Sequence, residues 1–288
     1  MRTRLKIIPG LKEFVYVTSK LLARFISFIT TWGPVGQLVS DSTQSRAKSK
    51  QITINHEGTQ IIFAVPTTLT RWRAKTFSSK EPETLKWIDS FEKNSNFWDV
   101  GANIGLYSIY AAVKKNCRVV AVEPSVFNLE LLAKNINLNS QQNSVLILPI
   151  AVDEFASQNM FNLSSLEIGG ALSTFRETFG YNGLPLEIKF KYKSVGIGIE
   201  KAINIWNIAP PDYLKIDVDG IEHLVLAGIG HLIRSTRSIL IEVNKSFLTQ
   251  SNSLNELLIS QHFNLTSEFE ILAENLEGQM FNQIWTKS

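Results

Sequence analysis

Short continuous apolar runs alternate along this chain with stretches whose apolar residues recur at helical spacing. Residues 97–100, 118–123, 213–218 and 238–243 each form a run of buried-strand length, closed by Gly, Pro, Asn or an acid. Residues 105–115 read as a helix, and so do residues 126–137, with Phe127, Leu131, Leu132 and Ile136 on the inner face. A third strand over 145–153 and helices over 199–203, 221–233 and 253–262 continue the alternation, and 264–286 reads as closing antiparallel strands. Upstream, residues 51–65 alternate and turn at Glu57-Gly58, which predicts a hairpin. Arg71 and Arg73 fall on one side of a short strand, and Pro82 suits the start of a helix that runs to Phe91. Residues 154–200 break the pattern and predict a hairpin-like insertion, with strands over 159–163 and 187–192 and a flexible loop at Gly169-Gly170. Strands alternating with helices predict an α/β fold with a parallel sheet.

The stretch from Asn96 to Ser108 carries the first chemistry. A strand ends near Asp99, and Gly101 and Gly105 allow a tight turn that brings a ligand close to the backbone. In open α/β sheets, ligands bind beyond the carboxyl ends of the strands, where the strand order reverses. A pyrophosphate favours a glycine turn with no acid beside it. Here the pattern is D-x-G-x-x-x-G, and the carboxylate of Asp99 suits a cationic ligand such as the ammonium and sulfonium of S-adenosylmethionine. Glu123 ends the next strand about 20 residues on, the spacing of an acid that holds ribose hydroxyls. An insertion above such a cleft is where substrate specificity usually resides, and Phe175, Phe179 and Tyr181 are its candidate ring-stacking residues beside a plain loop-packing role.

Composition narrows the class. Hydrophobic content of 44% and charged content of 19% supply a core and exclude global disorder. The single cysteine, Cys117, cannot form an intramolecular disulfide, which fits a reducing, cytoplasmic setting. Net charge is +3, but residues 1–50 hold nine Lys/Arg against two acids, +7, so the remainder carries −4. The globular part therefore has no general nucleic-acid character. Residues 1–40 cluster apolar residues interrupted by Lys12, Lys20 and Arg24, too interrupted for a spanning helix. They fit a helix that packs on a protein surface or lies weakly on a membrane surface. Residues 41–50 read as a linker, so the chain divides into an extension and linker, 1–50, and a domain, 51–288.

Three blocks resemble the FkbM-type class I S-adenosylmethionine-dependent methyltransferases. They are Phe97 to Gly105; Val120 to Ser125 with Asn135 and Asn139 beyond; and Leu214-Lys215-Ile216-Asp217-Val218-Asp219-Gly220-Ile221-Glu222, with Asp219 where Glu is usual. Glu81-Pro82-Glu83 resembles the family's entry segment, whereas Gly196 to Glu200 departs from its pattern. The resemblance implies a Rossmann-like fold with a seven-stranded mixed sheet between helices and core motifs over 97–245, to which the chain's own pattern adds a β-hairpin insertion at about 154–200 and an N-terminal helical extension. It implies S-adenosylmethionine as cofactor and methyl transfer to a hydroxyl of a sugar, glycan or polyketide-type acceptor; a degenerate, non-catalytic module that keeps the nucleoside site is the alternative. Asp99, Gly101, Ala102, Asn103 and Gly105 would border the methionine part, Glu123 and Pro124 the ribose, Asp153 the adenine edge, and Asp217 the transferring methyl. A hydroxyl needs a base as the methyl leaves sulfur. Asp217, Glu222 and His223 are the candidates, beside structural readings: Asp217 as a positioner, Glu222 fastening the turn by accepting from backbone N–H groups, His223 as a surface residue. No histidine cluster supports zinc and no metal is expected, although Asp217, Asp219 and Glu222 offer hard oxygen ligands.

Overall fold

The computed structural model describes residues 11–31, 33–271 and 279–287; residues 1–10 of the predicted extension and part of the closing hairpin lie outside them. The chain divides at Lys50/Gln51 into two units. In the first, helices α1 (Leu11–Thr31) and α2 (Gly33–Ser49) touch each other. Residues 41–50, expected to be a linker, instead continue α2 to Ser49: Ser, Gln, Arg, Ala and Lys are adequate helix formers and nothing there breaks the backbone.

The second unit opens with the expected hairpin, β1 (Gln51–His56) and β2 (Thr59–Ala64). Helices α3 (Thr68–Lys75), α4 (Phe77–Lys80) and α5 (Pro82–Asp89) follow. Arg71 and Arg73 therefore lie on a helix, not a strand. The cause is local: Thr67 and Thr70 form a reciprocal capping box that starts α3. Then come β3 (Asn96–Val100), α6 (Leu106–Lys115), β4 (Arg118–Val122), α7 (Val126–Leu138) and β5 (Val145–Leu148). The predicted third strand is cut at Pro149, which has no N–H to give a ladder. Its second half, β6 (Ala151–Val152), joins a separate sheet with β7 (Ser157–Leu163), β8 (Ser173–Phe175) and β9 (Phe190–Ile197), in the order β6-β9-β7-β8. The insertion is thus a four-stranded sheet rather than a hairpin alone. After α8 (Ile199–Trp206) come β10 (Tyr213–Ile216), α9 (Glu222–Ala227), β11 (Ser238–Asn244), α10 (Leu248–Ser260), β12 (Phe263–Glu270) and β13 (Met280–Lys287). The helix predicted over 221–233 stops at Ala227 before Gly228, and a 3-10 turn covers Gly230–Arg234.

The main sheet has seven strands in the order β12-β13-β11-β10-β3-β4-β5. β11, β10, β3, β4 and β5 are parallel, and β12 and β13 close one edge antiparallel. Both faces are covered, which is why these strands read as unbroken apolar runs. Trp98, Val100, Val120, Val122, Leu214 and Ile216 feed the core on one side. Phe97, Val119, Ala121, Tyr213 and Leu240 feed the other. Asn135 on α7 and Asn139 at its C-cap, one turn apart, bond the backbone of β2: Asn135 accepts from Ala64 N–H, and Asn139 both accepts from and donates to Ile62. They cover polar backbone that would otherwise be buried without partners. From β3 the chain proceeds outward through β4 and β5, then returns to build β10 and β11 on the other side. The strand order reverses between β3 and β10, and a crevice opens there.

Candidate active site

The crevice holds a cavity of about 170 Å³ lined by Gly101, Asn103, Glu123, Pro124, Asp217 and Glu242, among others. A smaller recess of about 50 Å³ adjoins it over Ala102, Tyr107, Lys80 and Glu81. Both share Arg73, Lys80, Gly101, Asn103 and Asp217. Gly101 has φ +89°, and a Cβ there would lie 1.8 Å from the carbonyl oxygen of Asp217. The turn after β3 is therefore pressed onto the end of β10.

Glu123 is buried at the end of β4 and accepts from Asn103 N–H and Ser125 N–H, each at 2.8 Å. Burial pushes its carboxyl up to about 7, against the pull of those donors. Asn103 donates its side-chain amide to Gly170 O at 2.7 Å, and its buried Oδ1 has no partner among the described residues. Asn128 accepts from Gly169 N–H, and Arg73 Nε donates to Gly169 O. Asp219 accepts from Leu172 N–H and Ser173 N–H. These four side chains hold the 169–173 loop against the crevice. Burial, reinforced by Asp217, raises Asp219 to about 6.

Around the recess runs a charge network built on the buried Lys215. Lys215, on β10, bonds Asp217 at 2.6 Å and stands 5.1 Å from the Tyr107 ring centre. Burial disfavours its charge, but Asp217, Glu81 and Asp99 outweigh that and hold the ammonium on. Burial likewise pushes Asp217 up, yet Lys215 and Lys80 overcome it and keep the carboxylate ionised. Lys80 in turn bonds Glu81 at 2.7 Å.

The crevice brings together Gly101, Asn103, Glu123, Pro124 and Asp217, and Ala102 joins them in the recess. The other sequence candidates fall elsewhere. Asp99 is buried behind the turn, bonded to Ser108 at 2.6 Å, and lines neither cavity. Gly105 is the N-cap of α6, packed by Leu132. Asp153 pairs with Arg176 at 3.2 Å, while its neighbours Ala151 and Val152 face the cavity. Glu222 is fully buried and accepts from Val218 N–H, Gly220 N–H and the Gln250 amide, which ties down the turn after β10. His223 lines neither cavity; its ring meets Phe247 edge-on at 6.0 Å.

Glu242 is the site residue that sequence reasoning passed over. It sits near the end of β11, beside the strand bearing Asp217, and among the described residues no donor is bonded to it. Burial, then Asp217, Glu222 and Asp219, raise its carboxyl well above the ordinary range. An acid closing a parallel strand next to β10 was the available signal. Lys80, Glu81 and Tyr107 were missed because helices α4 to α6 bring them in, and no strand end marks them.

The residue set fits a cationic nucleoside. Four carboxyl groups line the larger cavity beside Arg73 and Lys80, and among them Asp217 is held ionised. Phe161, Phe175 and Ala151 give apolar walls for a flat base, Glu123 keeps acceptor capacity for hydroxyls, and the orphaned Asn103 Oδ1 awaits a donor.

Comparison with known proteins agrees. The profile of the Methyltransferase FkbM domain matches residues 99–270. The hexuronic acid methyltransferase AglP of Haloferax volcanii is 22% identical over 182 residues, 63% of this chain and 70% of that protein. Two solved structures are similar at lower levels. The precorrin-6y C5,15-methyltransferase of Geobacter metallireducens has 12% identity and a TM-score of 0.44, over 72% of this chain and 87% of that one. The tRNA m1G37 methyltransferase of M. jannaschii has 11% identity and a TM-score of 0.46, over 83% and 57%. With its motif blocks set around this crevice and the profile spanning more than half its length, the chain belongs to the FkbM methyltransferase family and is an S-adenosylmethionine-dependent enzyme.

Proposed function

We propose that the protein methylates a hydroxyl oxygen on a sugar, glycan or polyketide-type acceptor, with Glu242 taking up the hydroxyl proton. The observation that carries this assignment is the free carboxyl of Glu242 in the cavity that also holds Glu123 and Asp217. The Haloferax relative, a hexuronic acid methyltransferase, supports a sugar acceptor. Glu123 would hold the ribose hydroxyls, Phe161 and Phe175 would flank the base, and Asp217, Lys80 and Glu81 would hold the charged amino-acid end. The cofactor supplies an electrophilic methyl group; the chain supplies position and electrostatics. A hydroxyl is a poor nucleophile until its proton has somewhere to go. Asp217 is engaged by Lys215 and Glu222 by the turn, which leaves Glu242 with both lone pairs and basicity to spare. Burial and the neighbouring acids raise its pKa, which makes it a stronger proton acceptor than an ordinary carboxylate.

The test is methyl transfer from isotope-labelled S-adenosylmethionine to a panel of sugars, with the methylated atom located by NMR. O-methyl products are expected, and Glu242→Gln should slow their formation roughly 100- to 10,000-fold while cofactor affinity stays within twofold. Methyl groups found on nitrogen or carbon, or full activity in Glu242→Gln, would overturn the assignment.

Residues 16–28 favour contact with an anionic membrane surface. Val17, Leu21, Leu22, Phe25, Ile26 and Phe28 are exposed on one half of α1, flanked along its edge by Arg24 and Lys20. No described helix is long and apolar enough to cross a membrane. Flotation with phosphatidylserine vesicles tests it: full-length protein should float and Phe25→Glu should not, whereas equal flotation of both would refute the contact.

A further inference from the structure

A second concavity opens beside the crevice. It is a groove of about 520 Å³, within the size range of small-molecule sites. Arg73, Gly170 and Ala171 line both spaces, so one side chain and two small residues separate them. Most of the rest of the groove comes from the insertion: Ser164 and Ser165 after β7, Tyr181 and Asn182 before β9, Lys189, and an apolar flank of leucines with Pro185. Hydroxyls, an amide and an aromatic ring are the groups that read sugar hydroxyls and cover a sugar face.

Charge defines the ligand further. Arg73 Nε is fixed by Gly169 O at 2.6 Å, which orients the guanidinium between groove and crevice. Among the described residues Arg73 makes no ion pair. Lys189 is likewise unpaired, and Lys191 and Lys193 follow it on the same face of β9, both exposed and both without an acid within ion-pair distance. Their cross-strand neighbours on β7 are Asn162 and Met160, which supply no counter-charge. Glu187 is the one acid among the groove's lining residues. A cation at the inner end and a row of lysines leading from the mouth make this surface complementary to an anion.

We propose that this groove is the acceptor subsite and that the acceptor is an anionic saccharide, its carboxylate or phosphate held by Arg73 and Lys189 while a hydroxyl reaches the crevice across Gly170 and Ala171. The subsite rests on the methyl transfer proposed above. Sugar hydroxyls alone would need no row of unpaired cations.

The experiment uses full-length protein saturated with S-adenosylhomocysteine and titrated with digalacturonate, glucose 1-phosphate or neutral cellobiose, followed by backbone amide NMR. Saturation with S-adenosylhomocysteine is measured first, by calorimetry. At least one anionic probe should bind about tenfold or more tightly than cellobiose, shift amides over 164–189, and weaken as salt rises. A response to digalacturonate alone assigns a carboxylate; a response to glucose 1-phosphate alone assigns a phosphate. The double variant Lys189→Gln/Lys191→Gln, at exposed positions that leave the core intact, should bring the anionic probe to within about threefold of cellobiose with S-adenosylhomocysteine affinity unchanged. Arg73→Gln should weaken the anionic probe likewise, and Arg73→Lys should restore part of the loss. Equal binding of anionic and neutral probes, shifts confined to other surfaces, no binding of any probe, or a double variant that binds like the native chain would overturn the subsite. In each of these cases cofactor-product binding stands; its loss in the native chain would instead remove the methyltransferase function beneath the proposal.

Discussion

Alanine at Gly101 would set a Cβ 1.8 Å from the carbonyl oxygen of Asp217 and 2.9 Å from its carbonyl carbon, at a φ of +89°. Two costs add. An L side chain at positive φ costs about 1–2 kcal/mol. The clash is with backbone on the neighbouring strand end, so no rotamer change relieves it, and overpacking of this kind costs roughly 1–3 kcal/mol. The sum is about 4 kcal/mol. For a domain of this size that is roughly 8–16 °C in Tm. Gly58→Ala is the internal control: φ is +77°, and nothing lies within 4 Å of its Cβ, so the backbone term stands alone at about 1 kcal/mol, roughly 2–4 °C. Thermal melts of both variants, followed by cofactor titration of the folded protein, separate the terms. Gly101→Ala should also lose cofactor affinity, because relief of the clash moves the turn away from Asp217 and drags Asn103 with it. A Gly101→Ala protein that melts within the shift of Gly58→Ala and binds S-adenosylmethionine normally would refute the close approach of the β3 turn to β10.

Two further predictions follow from the buried acids. Glu222→Ala removes the acceptor for Val218 N–H, Gly220 N–H and Gln250, and should destabilise the fold by about 2–4 kcal/mol in denaturant titration; a loss under about 0.5 kcal/mol would refute its role in tying the turn. Glu123 and Glu222 rise from 4.5 to about 7, and Asp219 from 3.8 to about 6, so the native state binds more protons than the unfolded chain in that window. Their contribution is fully present below about pH 4 and is lost as pH rises through 6–7, with Glu123 alone worth roughly 3 kcal/mol. His223, held low by burial, works in the opposite direction but is one group against these acids. Unfolding at pH 5 and pH 8 should show the cofactor-free protein less stable at pH 8; the reverse order would contradict the burial of these carboxyls.

The parallel strands were legible in sequence because a sheet covered on both faces makes most positions apolar, as at Phe97 and Trp98 and from Ile239 to Ile241. The hairpin at Glu57-Gly58 was legible because both turn residues take positive φ, a conformation that glycine at the second position favours. What escaped was set by single residues or by distant contacts. Pro149 divides one apolar run between two sheets. β8 has three residues, too few to carry a period. Thr67 starts a helix where alternating residues suggested a strand. Of the residues lining the crevice, Gly101 and Glu123 were picked out by spacing along the chain and Asn103 by the family resemblance, whereas Glu242, Lys80 and Tyr107 converge only after folding. Asp99 illustrates the limit of motif logic: its place near the end of β3 is as expected, but its carboxylate accepts from Ser108 and lines neither cavity.

The central claim, that Glu123 and the β3–β10 crevice hold S-adenosylmethionine, is tested most directly by calorimetric titration of the native chain and Glu123→Ala with that cofactor, and of the native chain with NAD. Native protein should bind S-adenosylmethionine at micromolar concentration and NAD not at all, and Glu123→Ala should weaken the first by about 1–3 kcal/mol, the scale of charge-assisted hydrogen bonds. NAD binding, absence of S-adenosylmethionine binding, or unchanged affinity in a folded Glu123→Ala protein would contradict it.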